Sequence, residues 1–313
     1  MDDMKSYLVH EFLDEYRAQR MDRRAMLKRV TLIIGGAATA SAWLQSQGEA
    51  VSAAEAAQSI HYLIPSDQIG SAVTVQENDP AITGAGMVQF PARDGATIFG
   101  YAASPAGMAT APSVLIIHEN RALLDHYKDV ARRFAREGFS ALAIDLVSRD
   151  GGTDSFADQP SISAALTNAG AERHVVDMIA GIDFLLGQPG AVQGGVGVTG
   201  FCFGGSQAWR IAVEDDRVAA TVPYYGSAPP LAKVPAMRAA AFGVYASDDE
   251  RINQSAVPLE EALRTNGKTF MMKQYPGTSH GFFNDTGQRH APDASREAWS
   301  DTLVWFRQYV PNA

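Results

Sequence analysis

From Met87 to Pro276 the chain alternates short apolar runs with helix-like segments, and this alternation restricts its fold more than any other feature. The runs are "MVQFPA", "TIFGYAA", "SVLIIHE", "FSALAID", "GVGVTG", "AATVPYYG", "AAAFGVYAS" and "FMMKQYP". They are short and rich in β-branched and aromatic residues, as strands buried on both faces of a parallel sheet are. Between them, "LDHYKDVARRFAREG" sets Tyr127, Val130 and Phe134 on one face and meets a glycine after a basic last turn. "AERHVVDMIAGIDFLLGQPG" stops at Gly-Gln-Pro-Gly, and "SREAWSDTLVWFRQYV" carries Trp299, Leu303, Phe306 and Val310 on one stripe. The pattern predicts an α/β fold with a mostly parallel central sheet of about eight strands and helices on both faces. Ligands of such sheets gather at the carboxyl ends of the strands.

The first residues differ from the rest. "MDRRAMLKRV" leads into "TLIIGGAATASAWL", a basic cluster followed by an apolar stretch of signal-peptide rather than membrane-spanning length. Arg23-Arg24-Ala25-Met26-Leu27-Lys28 resembles a twin-arginine export signal. Small residues in "EAVSAAEAAQ" offer a cut between Ala50 and Ala57. The expected organisation is therefore a signal region and flank over 1–57, an extended arm over 58–85 and a catalytic-type domain over 86–313. The expected location is the periplasm after twin-arginine translocation, with anchoring by an uncleaved signal as the alternative. A surface helix followed by a buried one is the structural alternative, since Leu8, Phe12 and Tyr16 fall at helical spacing.

At 46% hydrophobic and 19% charged residues the composition is that of an ordinary globular chain. The net charge of −9 argues against a general nucleic-acid binder, because neutralising phosphates needs surplus Lys and Arg. Removing residues 1–53 takes away equal numbers of acidic and basic side chains, so the acidity belongs to residues 54–313. With one cysteine, no intramolecular disulfide can staple the fold.

That cysteine, Cys202, lies in "GVTGFCFGGSQAW", where a strand turns into a helix between flanking glycines. The setting is that of a nucleophile elbow with a thiol replacing serine. A helix N-terminus behind it would favour charge on the sulfur and on a developing oxyanion. Such a thiol needs a base and a group to orient that base, in the chain order nucleophile, acid, histidine. "DDERIN" offers Asp248 and Asp249 after one strand, and "GTSHGFFND" offers His280 after the last. His118, His126 and His174 match no common metal-ligand spacing, and no phosphate or dinucleotide loop stands in the right strand–helix context, so neither metal nor nucleotide cofactor is indicated.

From about Gly84 to Val310 the chain resembles the dienelactone hydrolase family of α/β-hydrolases, on "LIIHENRALLDHYKDVARRFAREGFSALAIDL", "GVTGFCFGG", "YASDDERIN" and "YPGTSHGFFNDT". The resemblance implies the α/β-hydrolase fold and a Cys202–His280–Asp249 triad, with Asp249 the better match over Asp248. It implies that Glu119 contacts the resting thiol and that the N–H groups of Asn120 and Phe203 form the oxyanion hole. The expected activity is hydrolysis of a small ester or lactone through a thioester, without cofactor. Family members bind a carboxylated lactone through arginines. By chain position Arg121, Arg149 and Arg289 lie near the expected rim. A binding protein that lost turnover, or a thiol redox sensor, are the readings from other classes.

Overall fold

The computed structural model describes residues 75–311 throughout and, before them, residues 9–10, 12–14, 16–19, 23–34, 37–52 and 55. Two compact units are distinguished, Met1–Gln68 with Trp299–Val304, and Ile69–Ala298 with Trp305–Ala313. In the first, helices α1 (Arg23–Ile34) and α2 (Ala37–Ser46) share a small core that includes Leu13, Met26, Leu27, Val30 and Leu44. The Arg23 guanidinium of the twin-arginine pair is bound to Glu55 (2.8 Å) and to the Ala50 carbonyl (2.7 Å). Among the described residues no helix is long and apolar enough to cross a membrane. Of the expected cleavage region only residues 50–52 and 55 are described, and residues 58–74 of the expected arm lie outside the described residues.

In the second unit all eight apolar runs are strands: β1 (Ile82–Pro91), β2 (Thr97–Pro105), β3 (Ser113–Ile117), β4 (Ser140–Asp145), β5 (Val196–Phe201), β6 (Val218–Tyr224), β7 (Ala240–Ala246) and β8 (Phe270–Tyr275). They form one sheet in the order β1-β2-β4-β3-β5-β6-β7-β8. β1–β2 and β2–β4 pair antiparallel and every other neighbour is parallel. The central strands β3, β5 and β7 are buried at every residue, so both faces of the sheet are covered. β1 starts at Ile82, earlier than its apolar run near Met87, because after buried Ile82 its first residues, Thr83 to Gly86, are exposed or half-buried and carry no apolar signal. The end of the expected arm is pinned: the Val75 N–H donates to Asp129 (2.9 Å), and Tyr101 donates to Glu77 (2.9 Å).

Helices α3 (Asp125–Arg136), α5 (Phe203–Glu214) and α7 (Pro292–Tyr309) match the expected segments. The expected "AERHVV…" helix is the second leg of a longer one, α4 (Gln159–Leu186), whose Gly170 at φ 75°, ψ 157° breaks the helical path. Asp158 caps the first leg through the Ser161 N–H. Helix α6 (Glu250–Thr265) begins directly after Asp249 and contains Pro258.

Candidate active site

The site is built where β3, β5, β6 and β7 end. At the end of β5, Cys202 adopts φ 55°, ψ −111°, a conformation costly for a residue with a Cβ. The turn is held by the Cys202 N–H donating to the Tyr224 carbonyl (3.1 Å) and by the Ser206 N–H donating to the Cys202 carbonyl (3.1 Å). Glycine is obligatory on both sides. A Cβ on Gly200 would collide with the Gly204 carbonyl, and one on Gly204 with the carbonyls of Ile117 and His118. The sequence G-F-C-F-G therefore bends because β5, α5 and the end of β3 approach backbone to backbone.

β7 delivers Ser247, Asp248 and Asp249. The two acids separate cleanly: Asp248 is exposed and accepts from the Ser247 hydroxyl (2.9 Å), whereas Asp249 is buried against His280. The carboxylate of Asp249 accepts a hydrogen bond from Nδ1 of His280. With Nδ1 so engaged, Nε2 is the ring nitrogen left to face outward. His280 follows β8 in a loop whose Thr278 carbonyl accepts from the Asp248 N–H (2.9 Å), which ties the acid and histidine loops together.

Cys202, Phe203, His280 and Asn120 line one cleft of about 290 Å³, together with Tyr225 and Arg251. Ser163, Leu166 and Thr167 of the first leg of α4 form its wall. Tyr225 stands at φ 39°, its N–H donating to the Val244 carbonyl (2.7 Å) and its ring 5.0 Å from that of His280. Its hydroxyl reaches Oε1 of Glu119 (3.4 Å), and the Asn284 amide reaches Oε2 (3.5 Å). Glu119 lies two residues past the end of β3, and its charge acts on the Cys202 thiol.

The thiol is not the ready thiolate that a helix N-terminus alone would give. Burial, and after it the charge of Glu119, push the Cys202 thiol up to about 11. A hydrogen bond from the Phe203 N–H and the charge of Arg251 pull the other way and are outweighed. At neutral pH the sulfur carries its proton.

Of the arginines expected at the rim, none lines the cleft. Arg149 is bound to Asp94 (2.8 Å) and to buried Asp177 (2.7 Å). Arg289 donates to the carbonyl of His280 (3.3 Å), and Arg121 is exposed. The cation that does line it is Arg251, which sequence reasoning missed. Its signal was available, since it lies two residues after Asp249 in the first turn of a helix starting at a strand's carboxyl end. Among the described residues no cluster of His, Cys, Asp or Glu could hold a metal ion.

Residues 98–310 match the family model described as "Dienelactone hydrolase family". A protein of Methylorubrum extorquens named "Putative carboxymethylenebutenolidase" is 31% identical over 237 residues, covering 72% of this chain and 81% of its own length. A solved structure from Klebsiella pneumoniae, described as a "Putative Dienelactone Hydrolase", superposes with a TM-score of 0.67 at 26% identity, over 73% of this chain and all of that one. Dienelactone hydrolase from Anabaena variabilis shares the fold at a TM-score of 0.57 and 19% identity, over 74% of this chain and 99% of that one.

Proposed function

Because the chain belongs to the dienelactone hydrolase family and is a hydrolase of that type, we propose that it cleaves a small ester or lactone with Cys202 as nucleophile, His280 as general base and acid, and Asp249 as the group that orients and stabilises the ring. The observation that carries this reading is the pairing of buried Asp249 with His280, whose ring lines the same cleft as an elbow cysteine held at φ 55°.

The chemistry follows from the thiol's protonation. A neutral thiol has to lose its proton as it attacks, so His280 Nε2 takes the S–H proton while sulfur bonds to the substrate carbonyl carbon. The imidazolium that forms is stabilised by the Asp249 carboxylate. The carbonyl oxygen becomes an oxyanion received by the N–H groups of Asn120 and Phe203, each worth about 3 kcal/mol in sites of this kind. Collapse breaks the C–O bond, and the leaving oxygen receives the proton from His280. Water then attacks the thioester, giving a proton to His280, and the acid product leaves as sulfur regains its proton. Arg251 is the group on the cleft wall that would meet an anionic part of the substrate.

The proposed organisation keeps residues 1–57 as an export signal, an arm over 58–85 and the hydrolase domain over 86–313, with delivery to the periplasm by the twin-arginine machinery. Arg23-Arg24-Ala25-Met26-Leu27-Lys28 before an apolar stretch supports it. Fractionation of cells producing the wild type and an Arg23→Lys/Arg24→Lys variant tests it, and unchanged export of the variant removes the signal reading.

The hydrolase reading is tested with purified protein on chromogenic esters and lactones of differing charge. Turnover is expected, and Cys202→Ala is expected to abolish it. Activity that survives this substitution removes the cysteine from the mechanism.

A further inference from the structure

His118 directly follows β3, immediately before Glu119, and is fully buried, yet it takes no part in the proposed chemistry of the triad. Its ring bridges two backbone groups. The Leu146 N–H, just past the end of β4, donates to Nε2 (3.0 Å), and Nδ1 lies 2.6 Å from the carbonyl oxygen of Glu119. A backbone N–H can only donate, so Nε2 is the bare nitrogen and Nδ1 carries the hydrogen. The ring is thus neutral and donates to Glu119. Burial, which pulls the imidazole below its ordinary range, keeps it so despite Asp145 nearby.

The Glu119 carbonyl belongs to the peptide whose other side is the N–H of Asn120. In a planar trans peptide these two groups point in opposite directions and move as one rigid plate. A donor fixed on the carbonyl therefore fixes the direction of the N–H. The same carbonyl also accepts from the Ala122 N–H (3.2 Å), where Ala122 turns the chain at φ 64°. The carbonyl of Asn120, on the next peptide, accepts from the Ser163 hydroxyl (3.1 Å). Asn120 lines the cleft with Cys202 and His280, and its N–H has no acceptor among the described residues. We propose that His118 is the positioning residue of the oxyanion site: its Nδ1–H holds the Glu119 carbonyl and thereby aims, and by polarising the peptide strengthens, the Asn120 N–H. The inference rests on the proposed roles of Asn120 as oxyanion donor and Cys202 as nucleophile.

Two substitutions divide the ring's duties. His118→Asn places an amide N–H where Nδ1 stands and loses the acceptor for Leu146. His118→Gln can present an oxygen where Nε2 stands and loses the donor to Glu119. Outright loss of an oxyanion donor costs about 10²–10³-fold in kcat, so misaiming one is expected to cost about tenfold or more in His118→Gln, with KM within about twofold. His118→Asn is expected to recover most of the rate. An aldehyde that adds to the thiol as a tetrahedral adduct should lose affinity in His118→Gln, while a non-reacting carboxylate product should not. Equal kcat and aldehyde affinity in the two variants, or losses that simply follow melting temperature, would reduce His118 to a structural clamp and overturn the proposal.

A measurement on the wild type stands apart from variant folding. With ¹⁵N-labelled histidine, the His118 ring should show the Nδ1–H tautomer, and its proton should shift when the aldehyde adduct forms. An Nε2–H tautomer, or an unmoved proton, overturns the inference. Turnover lost in Cys202→Ala but untouched in His118→Gln sinks the role of His118 alone. Turnover absent from the wild type sinks the hydrolase reading and the role of His118 with it.

Discussion

The raised thiol can be read directly, because Cys202 is the only cysteine and every alkylation event reports on it. Iodoacetamide reacts with the thiolate alone. At pH 8 a thiol whose pKa is about 11 is ~0.1% ionised, whereas an unperturbed cysteine of pKa ~8.5 is roughly a quarter ionised. Alkylation should then be roughly 200-fold slower than for an exposed cysteine at the same pH. The rate, followed by intact-protein mass spectrometry from pH 6 to 11.5, should still be climbing at pH 10. Glu119→Gln removes the second cause and leaves burial, the first, in place. Its profile should move to lower pH without reaching that of a free cysteine. A wild-type profile that levels off at or below pH 8.5 would refute the reasoning, because it would mean that the helix N-terminus and the imidazole hold a thiolate at rest. The same shift links to stability. A thiol proton held more tightly in the folded state contributes stability below the unfolded pKa, and that contribution fades as pH rises from there through about 11.

Asp249→Asn should keep the ring in place but leave the wrong tautomer and no countercharge, lowering kcat by ~10³-fold or more with little change in KM, as steady-state kinetics would show. Arg251→Gln should raise KM for anionic esters and leave neutral ones unchanged, and equal effects on both would remove it from charge recognition. Arg149→Ala should lower stability by about 3 kcal/mol, since it strands the buried carboxylate of Asp177, while kcat/KM stays put. Chemical denaturation with parallel assays checks this, and a lost rate without lost stability would return Arg149 to the substrate.

The elements were legible because their signals are local: each strand is a compact apolar run, and Gly200, Gly204 and Gly205 announce the elbow in the residue string itself. The chain order nucleophile, acid, histidine pointed to Asp249 and His280, which are hydrogen-bonded, and to Cys202, which lines one cleft with His280. Strand order was not legible, because the antiparallel placement of β2 beside β4 depends on pairings far apart in the chain. The first leg of α4 escaped notice because Gly170 interrupts the periodicity that marks the second. Whether Asp248 or Asp249 faces the ring is a question of side-chain direction at a helix start, and resemblance alone favoured the correct one. The raised pKa of Cys202 was not legible, because the helix end is visible in sequence while burial and the field of Glu119 are not.

The break at Gly170 divides one long helix by duty. Its later leg is foundation, where Gly181 admits the side chains of Leu115, Leu142 and Ile144 so closely that no Cβ would fit without displacement. Its earlier leg is cladding, contributing Ser163, Leu166 and Thr167 to the cleft and joined to the foundation by the His174 ring, which donates to the Leu166 carbonyl (2.8 Å). Residues 159–169 therefore offer one contiguous stretch of the cleft wall, beside the lining given by Asn120, Tyr225 and Arg251, that small insertions or swaps could remodel while the scaffold's joinery stays untouched.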